Sequence, residues 1–196
     1  MLPIYQRGRF RPVDLFSTAT PRTLQLEAGT DGREWIVAAG LNWNNRENEK
    51  GLDLGLLNLT KGVQYHAFDV FKQKYIGLAT PGTVLGPINA HGVLLVNITA
   101  GLGRPQIVGT DLHISQGGVE VSEELWNEDT AELSIGVMEM HGRKGHLRIH
   151  VPLTYAYEKG AETVDVGNGT LLSIPVVLDG AKTIKLKFIR RTEVIQ

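Results

Sequence analysis

The sequence predicts an all-β protein, built as two consecutive antiparallel β-sandwich modules. Three observations predict it. Short apolar runs with period-2 alternation recur from Thr23 to Ile189, glycine and proline punctuate them closely, and no stretch holds a 3.6-residue apolar period. Strands so spaced bury their apolar faces by packing sheet on sheet. One continuous elongated sandwich is the alternative arrangement.

Residues 1–21 are basic, poorly periodic and interrupted by Pro3, Pro12 and Pro21, so they read as a linker or docking segment. Within them Arg11-Pro12-Val13-Asp14-Leu15-Phe16 carries apolar anchors that suit a surface laid against another. The first module, 22–116, opens with Leu24 and Leu26 among polar neighbours and turns at Thr30-Asp31-Gly32. Residues 35–43 form a long apolar strand with Trp35 and Trp43 in the core, and 44–50 are its polar exit. Leu52, Leu54 and Leu56 alternate with Asp53 and Gly55, the pattern of a half-buried strand. Residues 64–71 and 75–78 flank Lys72-Gln73-Lys74 as a hairpin, and 83–88 and 93–98 continue the series.

A junction follows at 103–118, GRPQIVGTDLHISQGG. Gly103 and Pro105 break the preceding strand, and Gly117-Gly118 frees the next. The second module, 117–196, is expected to contain strands at 119–126, 131–138, 146–151, 163–166, 170–178 and 183–189.

The junction holds the densest chemistry: Arg104, Gln106, Asp111, His113, Ser115 and Gln116. On an extended strand Asp111, His113 and Ser115 would share a face at about 7 Å spacing, too linear for a nucleophile, base and orienter. Backbone ties between modules are the preferred role for Asp111 and His113. A glycosidase needs two carboxyl groups about 5 Å or about 6.5–9.5 Å apart. Asp111 with Glu120 is the catalytic pair to consider, with Glu123, Glu124 and Glu139 as further acids; Glu123 and Glu124 read as a solvated strand edge. A hairpin across 138–146 would set His141 against His146 and Glu139 against Arg148. That is a zinc-like set, but cross-strand polar pairing is preferred, and no metal or cofactor is expected. Trp126, Tyr155 and Tyr157, with His113, are the candidate carbohydrate contacts. Both tyrosines lie in a loop-like stretch after Pro152, which suits a water-facing position better than the apolar strand of Trp35 and Trp43 does, yet core or rim packing is the preferred reading of these aromatics.

Composition narrows the partners. A formal net charge of −1 gives no basic field for nucleic acid, and no apolar run approaches the roughly 20 residues that span a bilayer. The absence of cysteine excludes disulfides and thiolate chemistry and fits a cytoplasmic setting, with secretion the alternative. The sequons at Asn58, Asn97 and Asn168 matter only on a eukaryotic secretory route.

Several stretches, in order, resemble the C-terminal β-sandwich region of α-galactosidase-like (melibiase-type) glycoside hydrolases. Arg11-Pro12-Val13-Asp14-Leu15-Phe16 is similar to the "RP-x-DLF" segment leaving the barrel, and Leu41-Asn42-Trp43 to the "FNW" strand end. Residues 65–71 with Tyr75-Ile76-Gly77 resemble "YHVFDFW…YLG", and 90–95 resemble "PHG-x-LL". Residues 103–118 resemble "RPQ-x-x-GT-x-x-H-x-x-QGG". The resemblance spans roughly Arg11 to Glu120 and implies an accessory sandwich that packs on a catalytic barrel, with 11–16 and 104–118 at or near that surface. In that family the catalytic carboxylates lie on a (β/α)₈ barrel of roughly 250 residues, which this sequence does not contain, so no catalytic residue carries over. The resemblance thus implies a fragment, a split partner or a stand-alone relative; a carbohydrate ligand, a barrel partner or a homo-oligomer are the expected associations.

Overall fold

The structure is a computed structural model that describes residues 8–46, 51–157 and 162–191; the N-terminal part of the expected linker, 1–7, and the end of the polar exit, 47–50, lie outside them. The chain is all β. Its strands are β1 (Arg11–Pro12), β2 (Thr23–Thr30), β3 (Arg33–Leu41), β4 (Leu52–Asp53), β5 (Tyr65–Asp69), β6 (Lys74–Ala79), β7 (Val84–Leu85) and β8 (Val93–Ala100). They continue as β9 (Gln106–Thr110), β10 (Val121–Asn127), β11 (Glu132–Val137), β12 (Arg143–Pro152), β13 (Tyr155–Tyr157), β14 (Glu162–Asp165), β15 (Gly169–Leu178) and β16 (Lys182–Arg190).

Two compact units divide the chain. The first contains the described residues up to Ala28 and Glu34–Gly101; the second contains Gly29–Arg33 and the described residues from Leu102 onward. The break at Gly101 lies ahead of the boundary expected near 116–118. Its cause is β9, a strand absent from the sequence reading. Gln106 to Thr110 are all buried, and a strand buried on both faces shows no alternation to read.

In the first unit the six-stranded sheet runs β1-β2-β3-β8-β5-β6, with β4 and β7 as a separate ribbon. Ile36, Ala38, Ala67, Val96 and Ile98 form one core with Leu52, Leu54 and Leu85. Trp35, Val37 and Ala39, on the opposite face of β3, are buried as well, which is why 35–39 reads as an apolar run rather than an alternation. The strand ends at Leu41, so Trp43 lies beyond it and is 55% exposed, against the expectation of a core residue. The leucine alternation at 52–56 is also corrected: only Leu52 and Asp53 are extended, and Leu54–Leu56 is a 3₁₀ turn. The Asp53 carboxylate accepts from the Gly55 amide at 2.8 Å, a local bond that competes with strand pairing.

The second unit packs a sheet β10-β11-β16-β13 and a sheet β14-β15-β12-β9 around one core. Leu133 and Ile135 of β11, Leu147 and Ile149 of β12, and Leu172 and Leu178 of β15 are nearly inaccessible. The hairpin expected at 138–146 does not form. β11 pairs with β10 and β16, whereas β12 pairs with β15 and β9, so Glu139, His141 and His146 are not cross-strand neighbours. Tyr155 and Tyr157 are not in a loop. They lie on β13 against β16, with Tyr155 8% exposed and Tyr157 packed on the core, because alternate residues of that strand share its inward face.

Candidate functional site

The junction residues converge on a buried network rather than an open cleft. β10 carries a bulge between Val121 and Glu123, which shifts its alternation by one residue. Leu125 therefore points outward at 44% exposure and Glu124 points inward at 1%, reversing the solvated edge expected from the sequence. Glu124 is met by two guanidinium groups: Arg33 Nε at 3.5 Å, with both side chains almost wholly buried, and Arg104 Nη1 at 3.3 Å. Arg33 also donates to the Gln116 carbonyl at 2.8 Å.

Glu120 completes the group. It has no exposed surface, and its carboxyl accepts from the Gly117 amide at 2.9 Å and the Val119 amide at 3.2 Å. Burial pushes its pKa up to about 7, opposed by those amides and by Arg33. Burial also raises Glu124, against the pull of Arg33 and Arg104, and lowers Arg33 to about 10. Gln116 ties the loop above: its amide accepts from Thr110 N and donates to the Thr110 and His113 carbonyls.

Asp111 and His113 do not share a strand face, because β9 ends at Thr110 and both follow it in a loop. His113 pairs with Ser115 Oγ at 2.7 Å. Asp111 instead binds β12: it accepts from His146 Nδ1 at 2.8 Å and lies 3.8 Å from Arg148. A Cβ on Gly145 would come within 2.3 Å of Asp111 Oδ1, so the glycine makes room for this contact. Asp111 and Glu120 are thus committed to different partners, the first at the surface and the second inside. Among the described residues no set of three His, Asp or Glu side chains gathers as a metal site.

Two outward features remain. An open depression on the second unit is lined by Leu125, Trp126, Asn127, Glu128, Asp129, Glu132, Ser134 and Lys185. Trp126 is half-buried at its edge: its ring meets Tyr155 edge-on at 5.3 Å and Phe188 at 6.0 Å, and its N–H donates to Glu128. The second feature is the apex Leu15-Phe16 of the first unit. Asp14 is buried and braces it, accepting from Arg22 N through Oδ2 and from Ser17 N and Thr18 N through its carbonyl. That leaves Leu15 50% and Phe16 101% exposed. Trp43 is pinned beside the same segment, its indole N–H donating to the Pro21 carbonyl at 2.7 Å.

Arg33 is the residue of this buried network that sequence reading missed. The signal available was a charge at the first inward position of an apolar strand, directly after an Asp-Gly turn. No protein-family model matches the chain, and no curated protein matches it. Among the described residues no helix is long and apolar enough to cross a membrane.

Proposed function

We propose that this chain is an accessory, non-catalytic β-sandwich region of the α-galactosidase-like kind, which packs on a catalytic (β/α)₈ barrel through the Leu15-Phe16 apex. The observation that carries the reading is a fully exposed phenylalanine on a turn that a buried aspartate braces through hydrogen bonds. An aromatic side chain held in water at no packing gain suits insertion into a partner's pocket, where rigid aromatic anchors supply most of the binding energy. The junction acids support the non-catalytic half of the reading, because Glu120 and Glu124 are buried in internal contacts.

The test is association. The purified chain is mixed with an α-galactosidase-type barrel domain produced without its own sandwich, and the mixture is followed by sedimentation velocity. A one-to-one complex that disappears with Phe16→Ala and Leu15→Ser, both still folded, is the expected result. Absence of a complex, or a complex indifferent to both substitutions, overturns the reading.

A second reading, carbohydrate binding, is favoured by the depression beside Trp126, where the exposed Leu125 is flanked by amide, hydroxyl and carboxylate groups. Calorimetric titration with neutral oligosaccharides, comparing the unaltered chain with Trp126→Ala and Asn127→Ala, tests it. Heat that is absent or unchanged by both substitutions removes that surface from consideration.

A further inference from the structure

Trp43, expected in the core, stands just past the end of β3 with more than half of its surface in water. The bend that carries it is built on Asn42, whose side chain is buried. Asn42 Nδ2 lies 2.7 Å from the Arg46 carbonyl, 3.1 Å from that of Ile88 and 3.0 Å from that of Asn89. Its Oδ1 accepts from the Asn44 amide at 3.0 Å. Backbone bonds clamp both flanks of the bend. The Leu41 amide donates to Arg22 O at 2.7 Å, the Asn42 amide to Gly92 O at 3.0 Å, and the His91 amide to Asn44 O at 3.2 Å.

This bend sets two chemistries side by side. The indole N–H of Trp43 is already taken by the Pro21 carbonyl, so the ring is fixed in orientation and what it offers to water is apolar surface. On the other flank Asn45 Oδ1 meets His91 Nε2 at 2.6 Å. An amide oxygen only accepts, so His91 Nε2 carries the hydrogen; Nδ1 of the neutral ring is then an acceptor, and Asn45 Nδ2 is a donor. Pro21 leads into β2 and His91 into β8, with β3 between those two strands. At about 4.8 Å per strand, the two flanks are about 10 Å apart across the end of the sheet.

We propose that the Trp43 bend binds a neutral di- or trisaccharide, one pyranose ring stacked on the indole and the hydroxyls of a neighbouring ring paired with Asn45 Nδ2 and His91 Nδ1. A pyranose has both surfaces this requires, C–H groups on its faces and hydroxyls around its rim. Each hydroxyl is donor and acceptor at once, so it satisfies the amide N–H and the imidazole nitrogen alike. A purely apolar partner laid over the ring would strip water from Asn45 and His91 and return no hydrogen bond. The ring and its bend are ordered before the ligand arrives, so binding loses little conformational entropy. The site belongs to the first unit, apart from the depression beside Trp126 in the second, and it uses neither Leu15 nor Phe16.

Titration of the isotope-labelled full chain with maltotriose, cellotriose, mannotriose and galactotriose, followed by two-dimensional NMR at neutral pH, tests the site. The expected result is a saturable shift of the Trp43 indole N–H and the Asn45 side-chain amide with at least one of these sugars. Trp43→Ala should weaken that sugar at least about 10-fold, and His91→Ala several-fold. Trp43→Phe keeps a ring but loses the tie to Pro21, so it should bind between the two, and it decides the matter should Trp43→Ala not fold. Phe16→Ala and Trp126→Ala should leave the affinity unchanged, which separates this site from barrel docking and from the Trp126 surface. No saturable shift with any of the sugars, or shifts centred on Trp126, overturns the proposal. So do Trp43 signals that move with protein concentration instead of sugar, because a second copy then covers the ring.

Discussion

Arg33 and Glu124 face each other at 3.5 Å with side-chain exposures of 2% and 1%. Arg11 and Glu27 approach more closely, at 2.6 Å, but are 60% and 49% exposed. Distance alone ranks them wrongly. The exposed pair is screened by water and is worth at most about 1 kcal/mol. Removing one partner of the buried pair leaves an uncompensated charge, at a cost of about 3–5 kcal/mol. Urea unfolding of Arg33→Met and Glu124→Gln should each show that loss. The double variant should lose clearly less than the sum, since neither member of this pair is then left facing a missing partner, while the loss of Glu124 from Arg104 is common to Glu124→Gln and the double variant. Strict additivity would show that the two groups do not interact.

Gly32 offers a separate test of how closely the turn between β2 and β3 is seated. Its φ is +76°, and a Cβ there would lie 2.2 Å from the Glu124 carbonyl oxygen, a backbone atom that moves only with β10. Gly62 has a similar φ of +84° but nothing within 4 Å of its missing Cβ. Gly62→Ala should therefore cost only the left-handed conformational penalty, about 1 kcal/mol. Gly32→Ala should cost about 3 kcal/mol or more, because overpacking is added to that penalty. Equal losses in thermal unfolding would mean that the turn is loosely seated.

The fold was legible wherever one strand face meets solvent. At β10 and β11, apolar alternation places the strands to within a few residues, and Asp31-Gly32 marks its turn. Legibility failed where the period was broken or absent. The bulge after Val121 exchanged the roles of Glu124 and Leu125, and no local pattern announces a bulge. β9 lacked alternation because both its faces are buried. The partner of Arg33 at Gln116 is 83 residues away in sequence, a contact made by topology rather than by any neighbouring residue. A hairpin at 138–146 would set His146 against His141, whereas the β-ladder brings it to Asp111.

Stability against pH should show two opposed slopes. Glu120 has a raised folded pKa of about 7, so its stabilising contribution is fully present below about 4.5 and lost as pH climbs through 7. The loss is about 3 kcal/mol, at about 1.4 kcal/mol per unit of pKa difference. His150 is 3% exposed, and burial lowers its pKa, with only a hydrogen bond to Asn168 opposing. Its neutral form is the native one, so stability falls as pH drops below its ordinary value of about 6.5. Between these limits one group gains a proton on unfolding while the other loses one, and the slopes offset. Urea unfolding at a series of pH values should show a shallower slope just below pH 6.5 for the unaltered chain than for His150→Gln. Glu120→Gln should instead become less stable towards acid, and His150→Gln more stable. A slope unchanged by either substitution would remove both assignments.

Asp14 and Phe16 separate folding from docking within one turn. Phe16 contacts water over its whole surface, so Phe16→Ala should change stability by no more than about 0.5 kcal/mol. Asp14 is 5% exposed and its carboxylate holds the Arg22 amide at 2.9 Å. Asp14→Ala leaves that donor without its partner and should cost about 1–3 kcal/mol. Under the docking proposed above, both substitutions should weaken association with a barrel domain: Phe16→Ala by deleting the anchor, Asp14→Ala by loosening the turn that aims it. Asp14→Asn keeps an acceptor for Arg22 and should restore most of both properties. Thermal unfolding beside sedimentation of the same samples distinguishes the cases. Binding lost by Asp14→Ala but kept by Phe16→Ala would mean that the turn matters for its backbone and that the aromatic ring is not the anchor.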